Sequence, residues 1–284
     1  MEPKRDYTIS GPLPGKHVVI MAGVHGDEVC GLRAFERVVP TLSIDAGKVT
    51  FVWANHAAID KEVRFVESNL NRLFQADTFL SEKQRNSYEY KRSREIMPLL
   101  ASADALLDIH SSGTPESTPF VICEQNSYEI ATLLPVEIIS SGWDAVQAGG
   151  SDSFVNASGG KGVCIECGYH NDPNAVDRAE CAIYAFLYAN QNIIRKPEIR
   201  AENKTFVQVQ SLYRTTTNFV PSRSYNDFQA VSSGEVIGTD GTNEVVAPGE
   251  GTVIFVRARK ETNEEAFLFL QEISVKIKRP QEGR

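Results

Sequence analysis

The chain has 284 residues, of which 42% are hydrophobic and 23% are charged, as in globular proteins with one large domain or a large and a small one. The 29 Lys and Arg residues against 37 Asp and Glu residues give a formal net charge of -8, which argues against nucleic acid and anionic membranes as partners. No apolar run reaches the length of a membrane span, and the first residues, MEPKRDYTIS, lack the apolar core of a signal peptide. We therefore expect a cytoplasmic protein.

Predicted strands and helices alternate between residues 17 and 190. A buried strand over residues 17–23 is followed by a helix that begins near residue 27 and ends near residue 39. Further strands are predicted over 49–54, 105–109, 120–123 and 162–166, and further helices over 81–100 and 173–190. This order indicates an α/β sheet with helices on both faces, in which ligand sites lie in loops beyond the strand ends.

The pattern changes after about residue 200. Short strand-like runs separated by Gly, Pro, Asn and Ser turns cover residues 206–220, 231–237, 244–246, 251–256 and 266–275. They predict a small all-β domain, with a boundary between residues 196 and 203. We accordingly divide the chain into a first domain, residues 1–197, and a β-rich domain, residues 198–284.

Three residues are candidates for a metal site. His25 and Glu28 belong to the sequence HGDE, where a bend at the small residue Gly26 can bring both side chains inward. His110 ends the predicted strand LLDIH and enters a Ser/Gly loop. Two histidines and a carboxylate, with the fourth position left for water, form a common catalytic zinc site. Taken singly, these residues also fit a surface turn and a strand-end histidine bonded to a local carbonyl.

An irregular polar segment contains two arginines and two asparagines, Arg64, Asn69, Asn71 and Arg72. An arginine binds a carboxylate through a planar two-donor fork, and an asparagine adds a neutral hydrogen bond. The segment could therefore hold an anionic substrate. On local grounds alone, solvated arginines or arginines paired with nearby glutamates are the favoured alternative.

Glu166 ends an apolar strand, between Ile165 and Cys167. Poor solvation there would raise the pKa of its carboxyl group, as a general base acting on water requires, although a strand-end glutamate can also point to solvent. Asp108 either orients a metal ligand or is merely a strand-end carboxylate, and the second interpretation is favoured. His170 lies close to Glu166 in the sequence and could line the site, but a solvated loop position is the favoured interpretation.

The four sequences HGDE, RF with NLNR, DIHSSG and IECG, in this order, resemble the succinylglutamate desuccinylase/aspartoacylase family of zinc-carboxypeptidase-like hydrolases. The likeness extends over about residues 16–190, and residues 246–253 are similar to an APxxGxV stretch of the family's small β-domain. The resemblance implies an α/β fold with a mixed sheet flanked by helices and a small C-terminal all-β domain.

The resemblance also implies roles for single residues. It implies that one Zn²⁺ ion is bound by His25, Glu28 and His110, that Glu166 and Arg64 are catalytic, and that Asn71 and Arg72 grip a substrate carboxylate. The sequence departs from the family at Asn69, where relatives often carry Asp. The implied activity is hydrolysis of the amide bond of a small N-acyl amino acid, so we expect a small carboxylate-bearing substrate. Self-association into a homo-oligomer is left open.

Two other functions fit the same residues. A metallocarboxypeptidase that acts on small peptides would use the same metal and arginines, and hydrolysis assays with N-acyl amino acids and dipeptides separate the two activities. A non-catalytic carboxylate-binding protein could keep the fold without the reaction. Metal analysis distinguishes it from the enzymes.

Overall fold

The structure, a computed structural model, describes residues 6–115, 117–198 and 203–276. The strands in this part of the chain are β1 (Tyr7–Ser10), β2 (Leu13–Ala22), β3 (Ala46–Trp53), β4 (Ala105–Ser112), β5 (Phe120–Cys123), β6 (Ile138–Ser141), β7 (Lys161–Tyr169), β8 (Thr205–Arg214), β9 (Phe219–Pro221), β10 (Gln229–Val231), β11 (Val236–Asp240), β12 (Asn243–Val246), β13 (Gly251–Ile254) and β14 (Glu265–Glu272). The helices are α1 (Cys30–Val38), α2 (His56–Lys61), α3 (Glu82–Arg85), α4 (Tyr88–Ala101), α5 (Tyr128–Ala131), α6 (Ser151–Ala157) and α7 (Ala175–Ala189).

An 11-stranded sheet has the order β1-β3-β2-β4-β7-β5-β6-β8-β14-β13-β10. Its strands β3, β2, β4 and β7 are parallel neighbours, whereas β5 runs antiparallel to β7. The predicted mixed sheet is therefore confirmed. Because the carboxyl ends of parallel strands meet at one edge of a sheet, the segments that follow β2 and end β4 and β7 lie together.

The central strands are apolar along their length because helices cover both faces of the sheet. In β2, Val18, Ile20 and Ala22 face the core formed with α1 and α7, whereas Val19 and Met21 face the core formed with α4 and α6. A strand buried on both faces reads as a continuous hydrophobic run, as the sequence of β2 does. Within the described ranges, no helix is both long and apolar enough to traverse a membrane.

Several predicted ends differ from the structure. Helix α1 begins at Cys30 and not near residue 27, because residues 25–28 form a turn that directs polar side chains inward. The helix predicted over 81–100 is divided into α3 and α4, and α4 begins where the Ser87 side chain accepts a hydrogen bond from the amide of Tyr90. Strands β4 and β7 continue beyond the predicted ends, to Ser112 and Tyr169.

The described C-terminal residues, 203–276, contain strands and no helix, as predicted. The run predicted over 206–220 is two strands, β8 and β9. Strand β8 pairs with β6 and with β14, and β14 joins two further C-terminal strands, β13 and β10, to the large sheet. Strands β12, β11 and β9 form a separate antiparallel sheet. The predicted boundary falls partly on residues 199–202, which lie outside the described residues, and the division into two domains stays a prediction.

Candidate functional site

The three metal-ligand candidates meet at the carboxyl edge of the parallel strands. His25 and Glu28 lie in the turn between β2 and α1, and His110 lies near the end of the neighbouring strand β4. One ligand atom from each of the three residues lies within 4.8 Å of the others. All three side chains are buried, with 2–3% of each residue exposed. The fold thus brings together residues that are 85 positions apart at most.

Glu28 is at the centre of this cluster. Its Oε1 lies 2.7 Å from Nδ1 of His25, and its Oε2 lies 2.8 Å from Nδ1 of His110. The backbone amide of Ser111 also donates to Oε2, at 3.2 Å. Two imidazole nitrogens and a carboxylate, all directed to one point in a buried pocket, are a donor set that suits a single zinc ion. The residues present therefore fit the predicted metal.

The cluster is strongly coupled electrostatically. Burial alone would raise the pKa of Glu28, but the two histidines outweigh it and hold the pKa of that carboxyl group well below its usual range. Burial lowers the pKa of His25, which favours the neutral imidazole that a metal requires. Burial also lowers the pKa of His110, but the carboxylates of Asp108 and Glu28 outweigh burial and raise that pKa well above its usual value. Protons and a metal cation compete for these nitrogens.

Both histidines have a second polar contact on the ring nitrogen that faces away from Glu28. Nε2 of His25 lies 3.0 Å from Oδ1 of Asn69, so the asparagine side chain reaches the ring. Nε2 of His110 lies 3.2 Å from Oδ2 of Asp108, which is buried with 1% exposure. The favoured interpretation of Asp108 as a mere strand-end carboxylate is therefore wrong. Contacts of this kind fix the ring orientation of metal-binding histidines.

Glu166 lies on β7, directly opposite His110 on β4. Burial, together with the negative charge of Glu28, raises the pKa of Glu166 to about 7. Its Oε2 is buried and has no hydrogen-bond partner within the described part of the chain. The carboxyl group lines the same cavity as the metal-ligand candidates. The structure thus gives Glu166 the poorly solvated environment predicted from its apolar strand.

The polar segment also reaches the cavity. Nη1 of Arg64 lies 3.1 Å from Oε1 of Glu28, while about half of the Arg64 side chain, 51%, stays exposed. Asn71 and Arg72 belong to a 3₁₀ turn and line the cavity wall. Arg72 forms an ion pair with Glu265, 3.3 Å away at the start of β14. The alternative that the arginines pair with glutamates nearby in the sequence is wrong for Arg72, because Glu265 is separated from it by 193 positions in the sequence.

A cavity of about 430 Å³ contains these residues. The C-terminal strands and the loops between them contribute part of its wall, including Arg257, Arg259 and Glu265. His170 also lines it, with Nδ1 2.9 Å from the hydroxyl of Ser111, so the expectation of a solvated loop histidine is wrong. No motif marks these wall residues in the sequence, because the pairing of β14 with β8 that brings the C-terminal ones to the cavity is long-range.

Known proteins share both sequence and structure with the chain. A family model described as the succinylglutamate desuccinylase/aspartoacylase catalytic domain matches residues 14–187. The succinylglutamate desuccinylase of Pseudoalteromonas atlantica is 31% identical over 111 residues, which are 37% of this chain and 29% of that protein. An N-acyl-aromatic-L-amino acid amidohydrolase (carboxylate-forming) of Xenopus laevis is 26% identical over 125 residues, 41% of each protein. These matches cover less than half of the length of either curated relative.

Solved structures are similar over nearly the whole chain. A succinylglutamate desuccinylase from Vibrio cholerae has a TM-score of 0.79 and 20% identity, with 98% of this chain and 94% of that chain covered. A succinylglutamate desuccinylase/aspartoacylase from Rhodobacter sphaeroides has a TM-score of 0.73 and 18% identity, with 95% and 89% covered. At these identities the likeness shows the fold. The family model matches more than half of the length of this chain, which therefore belongs to the succinylglutamate desuccinylase/aspartoacylase family.

Proposed function

We propose that this protein is a zinc-dependent deacylase that hydrolyses the amide bond of a small N-acyl amino acid. The observation that carries the proposal is the meeting of His25, Glu28 and His110 in one small cavity with the carboxyl group of Glu166, whose pKa burial raises to about 7. Membership of a family of N-acyl amino acid deacylases supports the same reaction.

His25, Glu28 and His110 would hold the metal, with Asn69 and Asp108 orienting the two imidazoles. When bound, zinc supplies Lewis-acid activation of a water molecule and of the scissile carbonyl group. The buried surroundings of the three donors exclude bulk water and strengthen every charge interaction inside the site.

Glu166 would move the proton. A carboxyl group with a pKa of about 7 exchanges a proton with water near neutral pH at little energetic cost. Since Oε2 of Glu166 has no hydrogen-bond partner in the described chain, it is available to take a proton from the attacking water. The same atom would then deliver that proton to the departing amine. Arg64, with half of its side chain exposed at the cavity, would donate to the carbonyl oxygen as negative charge develops there.

Asn71 and Arg72 would bind the substrate carboxylate. Arg72 is held by Glu265, which also accepts hydrogen bonds from Gln147 and Arg214, so its guanidinium group is oriented before substrate binds. Such preorientation reduces the entropy lost on binding. The cavity volume of about 430 Å³ lies within the range of small-molecule sites and matches a single acylated amino acid.

The experiment that tests the proposal is a hydrolysis screen on the zinc-loaded protein, with N-acyl amino acids and dipeptides that carry the same C-terminal residue. We expect turnover of N-acyl amino acids at rates at least about tenfold above those of the dipeptides. The variant Arg72→Ala should raise KM for carboxylate substrates about 10- to 100-fold and change kcat less. Faster cleavage of the dipeptides would favour the metallocarboxypeptidase. Absence of turnover in both sets, with zinc bound, would favour a non-catalytic protein.

A further inference from the structure

One buried carboxylate outside the site organises the polar segment that carries Arg64, Asn69, Asn71 and Arg72, here called the binding loop (residues 62–72). The residue is Glu89, in the first turn of α4, and it is 0% exposed. Its Oε1 accepts a hydrogen bond from the amide of Val66 at 2.6 Å. Its Oε2 accepts from the amides of Glu67 at 3.2 Å and Ser68 at 3.0 Å.

These three amides are consecutive and lie in the middle of the binding loop, where no strand or helix provides backbone acceptors. Buried N–H groups without a partner are costly, so a loop of this shape requires an acceptor from elsewhere in the fold. A carboxylate offers two oxygens and four lone-pair positions, and can therefore satisfy several converging donors. Glu89 meets that requirement for all three amides.

Other contacts connect the same carboxylate and loop to the elements around the site. Nδ2 of Asn55 donates to Oε1 of Glu89 at 3.4 Å, while Oδ1 of Asn55 accepts from the amide of Ala58 at the start of α2. In return, the Glu67 side chain accepts a hydrogen bond from the backbone amide of Tyr88 at the start of α4. Helices α2 and α4 and the binding loop are thus joined by a few polar contacts, of which those of Asn55 are buried.

An acidic residue in the first turn of a helix is also favoured by the helix dipole, and a solvated glutamate would serve that purpose equally well. Glu89 is instead completely buried and directed at the loop. The three amides that it binds are followed in the sequence by Asn69, which contacts His25, and preceded by Arg64, which contacts Glu28. Favourable interaction with the helix dipole does not explain why Glu89 is buried and directed at the loop. Stabilisation of the loop conformation by its hydrogen bonds does.

We propose that Glu89 is a positioning residue that fixes the binding loop and, through it, the side chains that face substrate and metal site. It touches neither the metal-ligand candidates nor the cavity. The kinetic consequence rests on the proposed function, whereas the order of the loop does not.

The order of the loop is measured by amide hydrogen exchange, resolved to single residues, on the full-length protein. In the wild type, the amides of residues 66–68 should exchange at least about tenfold more slowly than in an unstructured chain, because each is bonded to a buried carboxylate. Fast exchange of all three would overturn the proposal, and this readout needs no variant.

Two variants on the same helix compare the buried carboxylate with an exposed one. Glu89→Gln keeps the size of the side chain but turns an amide group towards N–H donors, so exchange at residues 66–68 should accelerate about 10- to 100-fold. Glu95→Gln is the control, because 65% of the Glu95 side chain is exposed and its ion-pair partner is Arg92 on the same helix. Equal exchange in the two variants would contradict the role of Glu89.

The effect on recognition is measured as a ratio of two substrates. In wild type and Glu95→Gln, kcat/KM for an N-acyl amino acid should exceed that for its carboxamide analogue, since Asn71 and Arg72 select the carboxylate. Glu89→Gln should reduce this ratio at least about tenfold. General structural damage would lower both rates and leave the ratio unchanged, which would refute the positioning role. If the wild type hydrolyses neither compound, the proposed function is wrong. The hydrogen-exchange measurements alone then test whether Glu89 positions the binding loop.

Discussion

The variant Gly26→Ala tests how closely the metal site depends on its turn. A methyl group added at Gly26 would lie 2.1 Å from the carbonyl carbon of Ala58, 2.2 Å from its oxygen and 2.4 Å from the amide nitrogen of Ile59, all backbone atoms of α2. Ordinary contacts begin near 3.4 Å, so the turn or the helix has to move by about 1.3 Å. The glycine is therefore required by close packing against α2 and not by the bend that the sequence suggested.

A displacement of that size is large for a metal site, because ligand distances tolerate about 0.2 Å. We expect Gly26→Ala to weaken zinc binding at least about tenfold, as loss of supporting contacts typically does. Overpacking should also cost about 1–3 kcal/mol of unfolding free energy and lower Tm by about 2–5 °C.

Zinc affinity is measured by competition with a chelator, and Tm by calorimetry on the metal-free protein. The matched control is Gly249→Ala, where the nearest atom to the added carbon is the side-chain Nε2 of Gln271 at 3.5 Å. The control should keep both values. A Gly26→Ala protein with wild-type zinc affinity would refute the reasoning that this turn sets the position of His25 and Glu28.

Three further predictions concern polar groups around the cavity. Glu166→Gln should lower kcat about 10²- to 10⁴-fold while metal content stays at the wild-type level, as activity assays and elemental analysis will show; retained turnover would remove Glu166 from proton transfer. Asn69→Ala should weaken zinc binding about 10- to 100-fold through the loss of its contact with His25, whereas Asn69→Asp should not, and equal affinities in chelator competition would contradict this. Burial, with the charge of Asp144, raises the pKa of Asp152 to about 7, so the folded protein keeps a proton that the unfolded chain releases above about pH 4. Unfolding free energy therefore falls as the pH rises from about 4 to 7, and Asp152→Asn should raise Tm relative to wild type at pH 8 more than at pH 5; an equal difference at both pH values would be the contrary result.

The central strands and the metal-ligand candidates could be predicted because their signals are local. An apolar run such as that of β2 marks a strand buried on both faces, and a histidine placed just beyond such a run must lie at the sheet edge. The predicted ends of the helices and strands were less accurate. The helix after β2 is predicted to begin near residue 27, yet the turn over residues 25–28, whose polar side chains face inward, displaces that start to Cys30.

The outer wall of the cavity could not be predicted because it depends on pairing between distant strands. Glu265 is brought to Arg72 by the pairing of β14 with β8, and nothing in the sequence near either residue indicates the other. The loop contacts of Glu89 could not be predicted either, because a glutamate in the first turn of a helix gives no sign of the loop amides that it binds.

The proposed binding of a substrate carboxylate has to be reconciled with a net charge of -8. The cavity is lined by four arginines, Arg64, Arg72, Arg257 and Arg259, and also by four acidic residues, Asp27, Glu28, Glu166 and Glu265. A substrate carboxylate would therefore be held by individual arginines at short range and not by a net positive charge of the cavity. In Arg257, burial and the neighbouring arginines lower the pKa, as expected for cations gathered in a partly closed space.

Zinc titration of the metal-free protein tests the central claim most directly. We predict that calorimetry will show one high-affinity site per chain, and that His110→Ala will weaken binding at least about 100-fold without changing the fold. Wild-type affinity in His110→Ala, or no high-affinity binding in the wild type, would contradict a metal centre built from His25, Glu28 and His110.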